Sequence, residues 1–386
     1  MRKTNLLYVI TKLELGGAQK QLLSLIRHLD KKRYAPLLFT AKEGLLLPEA
    51  LSVDGLKINK SRFLERPINP LKDILALFEI YRFIKKNNVD IVHTHGSKAG
   101  ILGRWGAKLA KVGVIVHTVH GWSFNDYQSI LGRRFFIWLE RTTALFTDKL
   151  IVVSNYDKQK GFVNRIGHQD KYSLIYYGID YKEFSIKDAN IKEELGINPN
   201  DLVMGMISCF KPQKSPQDFI KLAALVNKIL PKIKFLLVGD GVLRSSIQGL
   251  ILKFNLQNSV ILTGWRRDMP RILSAIDVFV LTSLWEGLPV AVLEAMAASL
   301  PVVVTSTGGV SEIVKEDKNG FCVPICDIQQ MSEKLVSLLK DENLRKQMGQ
   351  NARSSLDFNF KSENMLRNTQ DLYMTLIRNK GEAYVS

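Results

Sequence analysis

Ten short apolar runs, most of them followed by an amphipathic helical pattern, constrain this 386-residue chain more than any other feature. In the first half the runs are Asn5–Ile10, Ala35–Phe39, Asp90–Thr94, Val114–His117 and Lys149–Ser154. In the second they are Val203–Ser208, Lys234–Val238, Val260–Thr263, Val278–Leu281 and Pro301–Thr305. Helical patterns between them include Ala18–Leu29, Ile74–Asn87, Pro216–Leu230 and Pro289–Ala298. Strands that alternate with helices at this spacing form parallel sheets with right-handed crossovers. Two such series predict an α/β chain of two doubly wound domains facing a cleft. The expected bounds are 1–185 and 186–360, with 361–386 a C-terminal helix packing back towards the N-terminal domain. The joint is expected in the polar stretch Tyr181–Asn200. Ligands of such sheets sit outside the carboxyl ends of the strands.

Composition excludes several classes. Apolar residues make up 46% and charged residues 24%, as in ordinary globular chains rather than disordered or fibrous ones. Three cysteines (Cys209, Cys322, Cys326) are too few for a disulfide scaffold, so a reducing cytoplasm is expected. No run of 18 residues is free of charge, which leaves no membrane span. The net charge of +17 is uneven: residues 1–180 hold 29 Lys/Arg against 15 Asp/Glu. That half is expected to face an anionic partner, or else to present a solvated basic surface. A nucleic-acid partner is not expected, because no stacking platform or recognition motif accompanies the charge.

Glu286 and Glu294 stand eight apart, the first in a Gly/Pro-rich loop and the second inside an apolar helix. A carboxylate so placed needs a partner, and a sugar diol would serve. A helix-cap Glu and a salt-bridged Glu would serve too. The loop and first turn around Leu288 and Val290 offer backbone N–H groups to a diphosphate. Lys214 follows a predicted strand and could neutralise charge on a leaving group. Gly16 and Gly17 open a helix and permit close approach of a phosphate. Four histidines crowd into His93–His120, but without matching carboxylates they make a poor metal cluster. The run Arg133-Arg-Phe-Phe-Ile-Trp138 reads either as a membrane-facing helix or as a core helix with a basic outer face.

The segment Leu281–Ala297, with Pro301–Glu312 behind it, closely resembles the retaining glycosyltransferases of family 4, which have the GT-B fold. The likeness rests on the two glutamates, the Glu-Ala-Met-Ala helix and the Gly308-Gly309-x-x-Glu312 turn, with further matches in order from residue 5 to about 360. It implies transfer of a sugar, hexose or N-acetylhexosamine, from a nucleotide-sugar, as a UDP-sugar, to a saccharide or polyprenyl-diphosphate-linked acceptor. Such a reaction belongs to cell-envelope polysaccharide assembly, in the cytoplasm or on the inner face of an anionic membrane surface. The implied catalytic residues are His120, Lys214 and Glu286. Gly16, Gly17, Lys211, Arg266, Leu288, Val290 and Glu294 would bind the nucleotide-sugar, and His95 the acceptor. No cofactor and no metal are expected, since no Asp-x-Asp occurs. The sequence departs from the family where Cys209 takes the place of an Arg; Lys211 is expected to supply that charge. The same cleft could serve an epimerase or hydrolase, and Cys209 would also suit a degenerate binding protein.

Overall fold

Leu6, Leu7, Tyr8 and Val9 have no solvent exposure at all, because helices cover both faces of the strand they form. That double coverage is why the run reads as continuously apolar. The computed structural model describes residues 2–383. Met1 and the last three residues of the expected segment 361–386 lie outside the described residues.

The chain divides into two units. The first comprises residues up to Gly178 and again from Glu363. Its strands are β1 (Thr4–Ile10), β2 (Tyr34–Ala41), β3 (Lys57–Ser61), β4 (Ile91–His95), β5 (Val114–Val119), β6 (Lys149–Val152) and β7 (Tyr172–Leu174). They form one sheet in the order β3-β2-β1-β4-β5-β6-β7, with every pairing parallel. The second unit, Ile179–Ser362, holds β8 (Val203–Ile207), β9 (Lys234–Val238), β10 (Val260–Gly264), β11 (Val278–Leu281), β12 (Val302–Thr305) and β13 (Gly320–Val323). Its order is β10-β9-β8-β11-β12-β13, again all parallel. Both sheets are therefore doubly wound. The strand order reverses between β1 and β4 in one, and between β8 and β11 in the other. Loops part at such a point, and ligands bind there.

One face of the first sheet packs on the helices Gly17–Arg27 and Ser362–Ala383, through Leu22, Ile26, Tyr373 and Leu376. The other packs on Pro70–Lys86 and Ser97–Leu109, through Ala76, Ile80, Ala99 and Ala107. Gly106 lets these two helices close up, because a Cβ there would strike Ile80. Arg104 is wholly buried and pairs with Glu140 at 2.7 Å, tying Ser97–Leu109 to the helix Ile130–Ala144. Removing one partner of such a pair costs about 3–5 kcal/mol.

The polar stretch 181–200 is not a linker. Phe184 and Ile191 bury in the second unit, while Asp188 and Glu194 engage Arg271. The boundary falls at Gly178/Ile179 rather than at 185, and the chain leaves the second unit after Ser362. Three strands gave no sequence signal: β3, β7 and β13. All three are edge strands, where one side needs no apolar neighbour, so Lys57, Asn59 and Lys60 fit β3. Among the described residues, no helix is long and apolar enough to cross a membrane.

Candidate active site

The loops after β8 and β11 meet at the switch point of the second sheet, and there they grip each other. Leu284 N–H donates to Gln213 O at 2.8 Å, and Gln213 Nε2 donates to Trp285 O at 2.8 Å. Thr282 Oγ1 donates to Ser215 O at 2.9 Å. This stitching brings Lys214 and Glu286 together, 72 residues apart in sequence, as a hydrogen-bonded ion pair of Nζ and Oε1. The Lys214 side chain is 19% exposed and that of Glu286 6%, so water can reach the ammonium while the carboxylate is nearly enclosed.

Two glycine turns brace these loops from behind. Gly308 has φ +59°, and a Cβ on it would collide with Glu286 O. The next residue, Gly309, donates its N–H to Gly287 O at 2.6 Å. On the β8 side, Gly239 (φ +129°) lies so close to Ser208 O that no side chain fits, and Phe210 N–H donates to Asp240 O at 2.8 Å. The turn Gly239-Asp240-Gly241 is thus structural. Backbone contacts at four strand ends hold these loops in place.

Glu286 leads through Pro289 into the helix Val290–Ala297, which has no side-chain cap at its start. Its first N–H groups have no intrahelical acceptor. Leu288 and Val290 are 4% and 7% exposed. Glu294 sits buried on the same helix. Lys211 precedes the short turn Pro212–Lys214 in the β8 loop, beside Cys209. Arg266 is drawn elsewhere. Its guanidinium is held by Asp268 at 2.6 Å and Glu194 at 2.8 Å, in a network completed by Arg271 and Asp188. Those carboxylates hold its pKa above the usual value and occupy its donors.

In the first unit, β4 and β5 bring the histidines together. His95 Nδ1 lies 2.9 Å from His120 Nε2, and His120 Nδ1 lies 2.6 Å from Tyr177 OH. Both ring nitrogens of His120 are therefore engaged. His93 bridges Tyr373 OH and Thr118 Oγ1. Burial pushes His93 down to about 3 and holds His95 and His117 well below the ordinary value; all three imidazoles are neutral at pH 7. His95 Nε2 has no hydrogen-bond partner and lines a cavity of about 30 Å³, room for one water. Tyr177 and Tyr373 escaped sequence reasoning, since they join the histidines from 57 and 280 residues away. Among the described residues, no group of three or more His, Cys, Asp or Glu is placed to hold a metal ion.

Gly16 caps the helix Gly17–Arg27 beside the switch point of this sheet. No side chain caps that helix, and its first turn carries no acid. Gly16 is extended, and a Cβ there would meet only the tip of Gln19. Packing therefore does not demand a glycine at this position.

Residues 15–183 match the sequence model described as Glycosyltransferase Family 4, and residues 187–355 the one described as Glycosyl transferases group 1. The Escherichia coli UDP-Gal:alpha-D-GlcNAc-diphosphoundecaprenol alpha-1,3-galactosyltransferase is 37% identical over 321 residues, covering 82% of this chain and 83% of the relative. The chain is a family 4 glycosyltransferase. A second relative of this glycosyltransferase, from Campylobacter jejuni, is the N,N'-diacetylbacillosaminyl-diphospho-undecaprenol alpha-1,3-N-acetylgalactosaminyltransferase; it is 28% identical, over 77% of this chain and 80% of the relative. Anabaena HepE, solved with UDP and glucose, shares the GT-B fold at a TM-score of 0.83 and 20% identity, over 96% of this chain and 99% of that one. The transferase reading is favoured over an epimerase, a hydrolase or a degenerate binding protein.

Proposed function

We propose that this glycosyltransferase moves a hexosyl or N-acetylhexosaminyl group from a UDP-sugar to a saccharide carried on a polyprenyl diphosphate, with retention at the anomeric carbon. The reaction would be a step of cell-envelope polysaccharide assembly on the cytoplasmic side of a membrane. The observation that carries this reading is the Lys214–Glu286 pair at the β8/β11 switch point. The names of the two relatives, both acting on diphosphoundecaprenol-linked sugars, support the acceptor class. The donor named for the first relative makes UDP-galactose the first sugar to try.

In this scheme the second unit takes the donor. The diphosphate lies against the uncapped start of the helix Val290–Ala297, reached by the N–H groups near Leu288 and Val290. Glu294 accepts from the ribose hydroxyls. An arriving diphosphate competes with Glu286 for the Lys214 ammonium, and the released carboxylate then accepts from the donor sugar's hydroxyls. As the sugar–oxygen bond breaks, the bonding pair stays on the diphosphate oxygen, the acceptor hydroxyl oxygen bonds to the anomeric carbon from the same face, and its proton passes to the departing diphosphate. Lys214, with Lys211 beside it, stabilises that charge in a partly enclosed site. These groups supply the positive charge without a divalent cation, so no metal or other cofactor is proposed. Arg266, its plane fixed by two carboxylates, offers a flat face on which the base can stack. The first unit takes the acceptor, with His95 and His120 as its polar contacts. Gly16 and Gly17 offer a phosphate an unobstructed helix start.

Melting in EDTA with a panel of UDP-, GDP- and ADP-sugars tests the proposal. One UDP-sugar should stabilise the protein, by about 2.7 kcal/mol at 100 times its Kd. Glu294→Ala should abolish the shift. A UDP-sugar shift that appears only with added Mg²⁺ would overturn the metal-free scheme. No shift with any nucleotide sugar would overturn the donor assignment.

A further inference from the structure

Three rings meet in a row at the carboxyl edge of the first sheet. His95 ends β4, His120 follows β5, and Tyr177 lies just beyond β7. The rings are nearly parallel, with 22° between His95 and His120 and 17° between His120 and Tyr177. His95 and Tyr177 are 3% and 4% exposed, whereas His120 is half-buried. Of the three, His120 is therefore the ring that a saccharide can reach. The two buried rings hold it by both of its nitrogens.

The direction of donation along this row follows from its distances. Burial pushes His120 down to about 3, so at pH 7 the ring is neutral and carries one N–H. Tyr177 OH lies 2.6 Å from His120 Nδ1. That is shorter than the usual bond from a ring N–H to an oxygen, and ordinary for a bond donated by a hydroxyl. Tyr177 therefore donates to Nδ1, which puts the His120 proton on Nε2. Nε2–H donates to His95 Nδ1 at 2.9 Å, and this in turn puts the His95 proton on its own Nε2. That last nitrogen is the one without a hydrogen-bond partner, facing the cavity with room for one water. A single hydroxyl thus sets the tautomer of two imidazoles.

Tyr177 is itself fixed from behind. Gln21 is buried in the helix Gly17–Arg27 among Leu22, Leu25 and Ile26. Its Nε2 donates to Gly178 O at 3.0 Å, and its Oε1 accepts from Gly178 N–H at 3.2 Å. A buried amide is costly unless it is satisfied in this way. The two bonds hold the backbone next to Tyr177 against a helix 157 residues away in sequence. We infer that Tyr177 is a positioning residue of this glycosyltransferase: its hydroxyl fixes the orientation and the protonated nitrogen of His120, and Gln21 keeps that hydroxyl in place. This step rests on the proposed function, in which His120 meets the saccharide. A ring turned over, or protonated on its other nitrogen, would present an acceptor where it now presents a donor.

The test is the nitrogen magnetic resonance spectrum of the full chain with isotope-labelled histidines, assigned by the signals that His120→Gln removes. Wild type should show His120 protonated on Nε2, with Nδ1 a hydrogen-bonded acceptor. Tyr177→Phe keeps the ring and removes the hydroxyl, so the Nδ1 signal should move to that of an unbonded or partly protonated nitrogen. Transfer from the stabilising UDP-sugar to N-acetylglucosamine, linked through diphosphate to a short alkyl chain, should fall about tenfold in kcat/KM for the acceptor. The UDP-sugar melting shift should be unchanged. Gln21→Met should move both readouts the same way, and serves if Tyr177→Phe misfolds. Wild-type His120 protonated on Nδ1 would overturn the inference. So would an Nδ1 signal that neither variant moves, or variants with the kinetics of wild type. The spectrum needs no substrate, and the melting shift reads the donor site alone. The expected spectrum with no melting shift for any nucleotide sugar would overturn the proposed function and leave the hold of Tyr177 on His120 standing.

Discussion

Lys214 and Glu286 hold each other where a diphosphate and a sugar are proposed to arrive, so the two residues should fail in different ways. Lys214→Ala removes the cation and should cost both UDP affinity and turnover. Glu286→Gln frees the ammonium from its competitor. It should lower kcat by about 10²-fold while UDP binds at least as tightly as to wild type. Titration calorimetry with UDP beside steady-state kinetics separates the two. Weaker UDP binding by Glu286→Gln would mean that the carboxylate positions the ammonium rather than competing for it. Both residues were legible in the sequence through their motif. Their bracing was not. That Gly308 must be glycine because Glu286 O occupies its Cβ position is a statement about two loops that meet only in three dimensions. The carboxylate of Glu194 that holds Arg266 was not legible either, since it lies 72 residues away.

Among the elements, β4 and β5 form a paired ladder of buried imidazoles: Thr94 sits opposite His117, and His95 opposite Thr118. In the unfolded chain a histidine titrates near 6.5. In the folded chain burial lowers His93 to about 3, with His95 and His117 shifted the same way. Their contribution to stability is complete above pH 6.5. It is lost as pH falls below that, for His93 down to about 3, at up to about 1.4 kcal/mol per pH unit. Denaturant unfolding from pH 7 to pH 5 should therefore show a steep loss in the first unit. His93→Gln should make that slope shallower, whatever it does to stability at pH 7. An unchanged slope would show that His93 titrates alike in the folded and unfolded chain. Central strands such as these were legible because both faces are covered. The edge strand β3 was not, because Lys57 and Lys60 suit an edge and spoil the apolar pattern.

At the scale of the whole molecule, the two α/β series were legible as two units, but the return of the chain to the first was legible only as a helix packing back. The structure makes that helix part of a core. Met365, Tyr373 and Leu376 are each no more than 7% exposed, and Tyr373 bonds His93. Ending the chain after Lys361 should remove about 1.5–3 kcal/mol for each such side chain. Hydrogen exchange should then show β1 and β4 unprotected, while the UDP-sugar shift in the second unit survives. Protection that persists in β1 would show the helix to be dispensable.

The interrupted first unit also sets a timetable for synthesis. Residues 1–178 leave the ribosome first, yet their sheet must wait for residues 363–383 before one of its faces is closed. The unit begun later can be complete while the earlier one still shows Leu22 and Ile26 to water. A chaperone would meet that face for as long as it takes to translate the 184 residues between. Slow codons or a stalled ribosome in the second unit would then be felt as misfolding of the first.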